Sequence, residues 1–104
     1  MISKQIKQTI LDSSIVVAST DQISSDLGDE VVILNLKSGV YHGLNEVGAK
    51  VWSFIQQAKT VKQISEMLLQ EYDVDVEQCN SDLIVLLSDL LAAELISISN
   101  GTTT

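Results

Sequence analysis

The apolar positions change their period near residue 45, and that change separates a strand-forming half from a helix-forming half. Residues 15–18, Ile-Val-Val-Ala, are β-branched and short, which predicts a first strand. Residues 19–29 are rich in Ser, Asp and Gly and read as a loop, with Leu27 pinning it to the core. Residues 30–36, EVVILNL, are nearly continuous in Val, Ile and Leu, as expected of a second strand partly covered on both faces. Lys37, Ser38 and Gly39 supply a turn, and residues 40–43 a third strand with an aromatic pair, Tyr41 and His42.

From Asn45, an N-cap residue, the period becomes helical. Leu44 and Ala49 are spaced as a weak hydrophobic staple. Gly48, Val51, Trp52 and Ile55 share one face of a first helix. Thr60-Val61-Lys62-Gln63 has capping-box form and opens a second helix striped by Ile64, Met67, Leu68 and Tyr72. Asp75 caps a third helix running to about Ala93, with Val76, Cys79, Leu83, Leu86, Leu87 and Leu90 along its stripe. Residues 95–98 form a short closing extended segment. The pattern predicts an α+β, winged-helix-like domain, a three-stranded antiparallel sheet followed by three helices. That domain spans residues 13–98, between a flexible arm (1–12) and a frayed tail (99–104).

Composition narrows the function classes. The chain has 104 residues, 45 % of them apolar, so it suits a single globular core. The net charge is −8, and the surplus is local. Residues 1–62 hold six Lys and six acidic residues, whereas residues 63–104 hold eight acidic residues and no basic one. A winged helix ordinarily reads DNA with its third helix, but this one carries Glu77, Asp82 and Asp89 and neither Lys nor Arg. Phosphate repels such a helix, so nucleic acid is not an expected partner. A winged-helix regulator or structural subunit remains the alternative.

The single Cys79 and single His42 exclude an internal disulfide and a metal site of the usual ligand count, and no cofactor is expected. They are far apart in sequence, and no orienting third group or oxyanion loop accompanies them, so an enzyme is not expected. The first residues, MISKQIKQTILDSS, lack the apolar run of a secretory signal. No stretch approaches the ~20 apolar residues that span a bilayer. A cytoplasmic protein without membrane contact is the expectation.

The string LNLKSGVYHGLNEVGAKVWSFI resembles the PqqD-like family, named for a protein of pyrroloquinoline quinone biosynthesis. Gly39, Tyr41, Leu44, Asn45, Gly48, Val51 and Trp52 carry the likeness. The later segment YDVDVEQCNSDLIVLLSDLLAAELI adds Asp82, Leu83, Leu86, Leu87, Leu90, Leu95 and Ile96. Together they cover residues 30–96. One departure is Glu94, where the family commonly ends the helix with glycine; it bears on the helix end more than on the fold.

The resemblance implies a non-catalytic recognition domain. Such a domain binds the leader segment of a ribosomally made precursor peptide and hands it to a maturation enzyme. The leader adds as a strand beside the third strand and packs against the third helix. A free-standing chain of this size is most similar to the discrete recognition proteins of lasso-peptide pathways. Their partners are a leader-cleaving cysteine protease and an ATP-dependent cyclase; a radical enzyme, as for the quinone cofactor, stays open. On this resemblance the leader-binding residues are Val40, Tyr41, His42, Gly43 and Leu44 on the strand. On a helical wheel the apolar arc of the third helix is wider than one core contact needs, and its margin of Asp82, Val85, Leu86 and Asp89 is expected to line the groove. The two aspartates suit a Lys or Arg of the leader, or its backbone N–H groups.

Plainer readings stand beside these. Tyr41 and His42 face opposite ways on one strand, so only one reaches the groove floor; the plain reading is a core Tyr and a solvated His. The docking edge is alternatively paired to the N-terminal strand or to a second copy. Trp52 reads as core, and Cys79 as a small buried hydrophobe. Asp73 and Asp75 read as cap and solvation, lacking the rest of a calcium loop. The acidic residues of 66–94 read as a solvated face or as a dock for a basic patch.

Overall fold

The computed structural model describes residues 10–100. The expected arm and tail lie outside them over residues 1–9 and 101–104. Nine elements follow in order: β1 (Ile15–Ala18), β2 (Gln22–Asp26), β3 (Val31–Asn35), β4 (Tyr41–Leu44), α1 (Glu46–Phe54), β5 (Lys59–Thr60), α2 (Val61–Glu71), α3 (Val76–Ala92) and β6 (Ile96–Ser99). They form two antiparallel three-stranded sheets, ordered β5-β1-β6 and β2-β3-β4.

The winged-helix-like α+β architecture holds, with a three-stranded sheet ahead of three helices. Its membership differs from the expectation in one strand. Ile15–Ala18 pairs with β5 and with β6, and takes no part in the sheet of β3 and β4. The third strand of that sheet is β2, from the stretch expected to be a loop. Its sequence, QISSD, is polar because it lies at an edge and is largely exposed. Backbone pairing with β3 orders it, and apolar patterning cannot register that. Leu27 is exposed rather than pinned to the core.

In β3 the residues Val31, Ile33 and Asn35 are buried and alternate with half-buried Val32 and Leu34. Residues directly opposite on an antiparallel strand share a face. Ile33 lies opposite His42, and Val31 opposite Leu44, so His42 and Leu44 face the core side. Leu34 lies opposite Tyr41, which therefore points out from the other face and is 68 % exposed. The core Tyr of the plain reading is thus corrected: the buried face of β3 is set by Ile33, and the register hands that face to His42.

The helices start where their caps predict. Asn45 accepts a hydrogen bond from the Gly48 N–H at 3.0 Å. Thr60 and Gln63 form a reciprocal capping box, and Asp75 accepts from the Gln78 N–H at 3.0 Å. α1 approaches Leu44 of β4 closely at Gly48, where a Cβ would lie 3.1 Å from the Cβ of Leu44. Val16, Ile33, Val51, Ile55, Ile64, Leu87 and Leu95 are fully buried and bring both sheets and all three helices into one core. Trp52 and Cys79 are buried in it as well.

The end of α3 is closed by Glu94 without a glycine. The Leu95 N–H donates to the Leu90 carbonyl and the Glu94 N–H to the Leu91 carbonyl, both at 3.0 Å. That pair of bonds is a Schellman motif, which needs a left-handed residue just past the cap. Glu94 takes that conformation at φ 59°, alone among the described non-glycine residues.

Candidate functional site

The hydrogen-bond parity of the β2-β3-β4 sheet determines which main-chain groups are left over. In an antiparallel pair, alternate residues direct both their N–H and C=O toward the same neighbour. The Asn35 N–H donates to the Val40 carbonyl at 3.0 Å, so residues 31, 33 and 35 bond toward β4. Val40, His42 and Leu44 then face β3, while the N–H and C=O of Tyr41 and Gly43 point away from the sheet. No strand covers that side of β4 among the described residues.

Beside this edge runs α3. Its residues Cys79, Leu83, Leu87 and Leu90 are buried in the core, while Leu86 is half-buried at the margin of the stripe. Tyr41, His42, Gly43 and Leu44 line a hollow of about 490 Å³ with Leu86, Asp89, Leu90 and Ala93. A second hollow, about 520 Å³, continues along α3 and is walled by Asp82, Leu83, Val85, Leu86 and Asp89 on one side. Val47, Gly48 and Val51 of α1, with Leu68, Tyr72 and Val74, form the other side. Asn45, Leu86 and Asp89 border both, so the two hollows form one groove from the β4 edge to the cleft between α1 and α3. Val85 is 59 % exposed on its rim. Val76, expected on the buried stripe, is 54 % exposed because α3 has just begun there.

Eight of the nine residues expected to bind leader thus line this groove. Val40 lies outside it: its carbonyl is held by Asn35 and its N–H donates to the Ser38 Oγ at 3.2 Å. The groove is acidic at one wall, with exposed Asp82 and Asp89. The Asp82 carboxylate also accepts from the Gln78 side chain at 2.8 Å. Tyr72, at the far end, has its phenol pKa raised by burial and by the nearby Glu46 carboxylate, 3.5 Å from its hydroxyl.

Asn35 was not among the expected residues, yet its hydrogen bonds join the two walls of the groove. It is 3 % exposed, its amide donates to the Ala93 carbonyl at 2.8 Å, and its carbonyl accepts from the N–H groups of Lys37 and Ser38 at 2.8 and 3.2 Å. It therefore ties the β3–β4 turn to the end of α3 and sets the distance between edge and helix. The signal was a polar residue in phase with Val31 and Ile33 on the buried face. Buried amides persist where they are fully hydrogen-bonded.

Among the described residues no group of three or more His, Cys, Asp or Glu side chains is arranged to hold a metal ion. No helix among them is long and apolar enough to cross a membrane.

Comparison with known proteins places the groove in context. Residues 30–96 match the family model of coenzyme PQQ synthesis protein D (PqqD). The chain is 33 % identical to TbiB1, solved in complex with the TbiA(beta) leader peptide, over 85 % of this chain and 99 % of that one, at a TM-score of 0.74. A lasso peptide synthetase B1 complexed with its leader peptide superposes at a TM-score of 0.69, with 18 % identity over 79 % and 96 % of the two chains. The PqqD part of Methylobacterium extorquens PqqCD, a stand-alone recognition element for ribosomally synthesised, post-translationally modified peptides, gives 0.69 and 19 % over 86 % and 95 %. These last two share the fold. No curated protein sequence matches the chain.

Proposed function

The chain belongs to the family of coenzyme PQQ synthesis protein D, and from that premise we propose that it is a non-catalytic adaptor for a ribosomally made precursor peptide. It binds the leader segment by strand addition at β4 and presents the precursor to a maturation enzyme in the cytoplasm. The observation that carries this reading is the unpaired β4 edge, with the main-chain groups of Tyr41 and Gly43 turned outward beside the α3 groove. The likeness to TbiB1, which binds a leader peptide, supports it.

The energetics require both parts of the site. Two outward residues offer up to four main-chain hydrogen bonds, each worth about 0.5–1.5 kcal/mol net. Ordering a five-residue leader segment costs about 1–2 kcal/mol per residue, so backbone pairing alone does not hold it. Apolar leader side chains seated against Val85, Leu86 and Leu90 add roughly 1.5–3 kcal/mol each and tip the balance. Asp82 and Asp89 at the wall favour Lys or Arg in the leader and disfavour acidic residues. The receiving enzyme is a leader-cleaving cysteine protease with an ATP-dependent cyclase, as in lasso pathways, or a radical enzyme.

Fluorescence polarisation with the labelled leader of the precursor encoded beside this gene tests the reading. Saturable binding in the micromolar range or tighter is expected. Binding weaker than high micromolar for that leader overturns it.

A further inference from the structure

The sheet has a second free edge, and the same parity argument applies to it. The Leu36 N–H donates to the Asp21 carbonyl and the Leu27 N–H to the Glu30 carbonyl, both in phase with residues 32 and 34. Ile23 and Ser25 therefore bond to β3, and the N–H and C=O groups of Gln22, Ser24 and Asp26 point away from it. No strand covers that side of β2 among the described residues. This edge leaves three residues' main-chain groups open, one more than β4.

A groove again runs beside it. Ser24 and Asp26 line a hollow of about 440 Å³ whose opposite wall is α1, through Ala49, Lys50 and Trp52. Trp52 is 3 % exposed, and its indole N–H finds no acceptor among the described residues. The rim carries Asp26, Asp29 and Glu46 against one ammonium, Lys50, which is already 3.6 Å from Glu71. Two copies of this chain meeting here would bring like charges together, which disfavours self-pairing.

We propose that β2 is a second docking edge, taking an extended basic strand from a partner protein. Complementary charge selects it: Lys or Arg side chains on the docked strand reach Asp26, Asp29 and Glu46, while its backbone pairs with Ser24 and Asp26. The two edges lie on opposite sides of β3, so a strand at β2 leaves the β4 groove free. The adaptor then holds two chains at once, across one sheet. This second site does not depend on what β4 binds.

NMR on the Gly43→Pro variant, whose β4 edge is blocked, separates the two sites. The probe is a short acetylated, amidated peptide alternating Lys and Val, with its Glu–Val counterpart as control. The Lys–Val peptide is expected to shift the Ser24 and Asp26 amides and the Trp52 indole N–H, and the Glu–Val peptide to bind at least about tenfold more weakly. Ser24→Pro, which removes an N–H not used by the sheet, should reduce the Asp26 and Trp52 shifts, and Asp29→Lys, on the exposed rim, should reduce all three, while each retains the folded spectrum. Shifts confined to α3 and β4, equal binding of the two peptides, or dimerisation of the free protein through β2 would each overturn the proposal. Leader binding by the unmodified protein is unaffected by any of these outcomes, so a failure here and a failure at β4 are distinguishable.

Discussion

Replacing Gly43 by proline probes the β4 edge with little damage to the sheet. The Gly43 N–H points away from β3, so proline removes no ladder bond. Gly43 is not among the positive-φ glycines, and a Cβ there meets nothing within 4 Å. The preceding residue, His42, is already extended, as a residue before proline must be. Stability should therefore change by less than about 1 kcal/mol. Binding should change far more. The donor at the centre of the edge is lost, and the ring obstructs a strand that must approach to ~4.8 Å. Losing two to four bonds at about 1 kcal/mol each gives roughly 2–4 kcal/mol, a weakening of about 30-fold to 1,000-fold. His42→Pro is the contrasting control. Its N–H faces Ile33, so it should lower stability by about 1–3 kcal/mol. Thermal melts and leader titration by fluorescence polarisation read both quantities. A folded Gly43→Pro variant that binds leader as tightly as the parent would refute strand addition at β4.

Other substitutions address the neighbouring walls. Val85→Asp changes an exposed rim position and should weaken leader binding about tenfold or more at nearly constant Tm; intact binding would place the anchors on the other side of the groove. Asn35→Ala removes three hydrogen bonds and leaves the half-buried Ala93 carbonyl without its donor, so it should cost about 2–3 kcal/mol by urea unfolding and weaken leader binding in the fraction that stays folded. Glu94→Gly relieves a left-handed glutamate and should gain about 0.5–1 kcal/mol, a rise in Tm of roughly 2–8 °C by calorimetry; a fall would mean that the Glu94 side chain is worth more than its backbone strain. Gel shifts at low salt should show no complex with duplex DNA, because the α3 surface that would enter the groove presents Glu77, Asp82 and Asp89.

Most of the helical half was readable because its signals are local. Asn45, Thr60 and Asp75 cap the helices from their own first turns, and the buried stripe of α3 from Cys79 to Leu90 follows the period of 3.6. The strands were readable only where burial imprints a pattern. Ile33 and Val31 are buried and their strand was evident, whereas Gln22–Asp26 is ordered by main-chain pairing and carries little apolar content. Which strand shared a sheet with which was also invisible, since Ile15–Ala18 finds its partners at residues 59–60 and 96–99. The family likeness pointed to the β4 and α3 residues, but not to Asn35. Its role depends on a contact 58 residues away in sequence, with Ala93.

The unnoticed strand is also the one that changes the picture of the sheet. With β1 as the third member, β3 would have had one neighbour in β4 and one in an apolar, half-buried strand. With β2 in that place, the sheet ends on both sides in residues whose amides and carbonyls are turned outward. An exposed edge is an aggregation hazard unless it is managed, commonly by charge. Both edges here lie beside acidic side chains: Asp82 and Asp89 near β4, and Asp26, Asp29 and Glu46 near β2. Those carboxylates discourage pairing between copies of the same acidic chain while leaving the edges available to basic or neutral strands. One distribution of charge thus serves two ends: it keeps open edges from joining each other, and it defines the chemistry of what they accept.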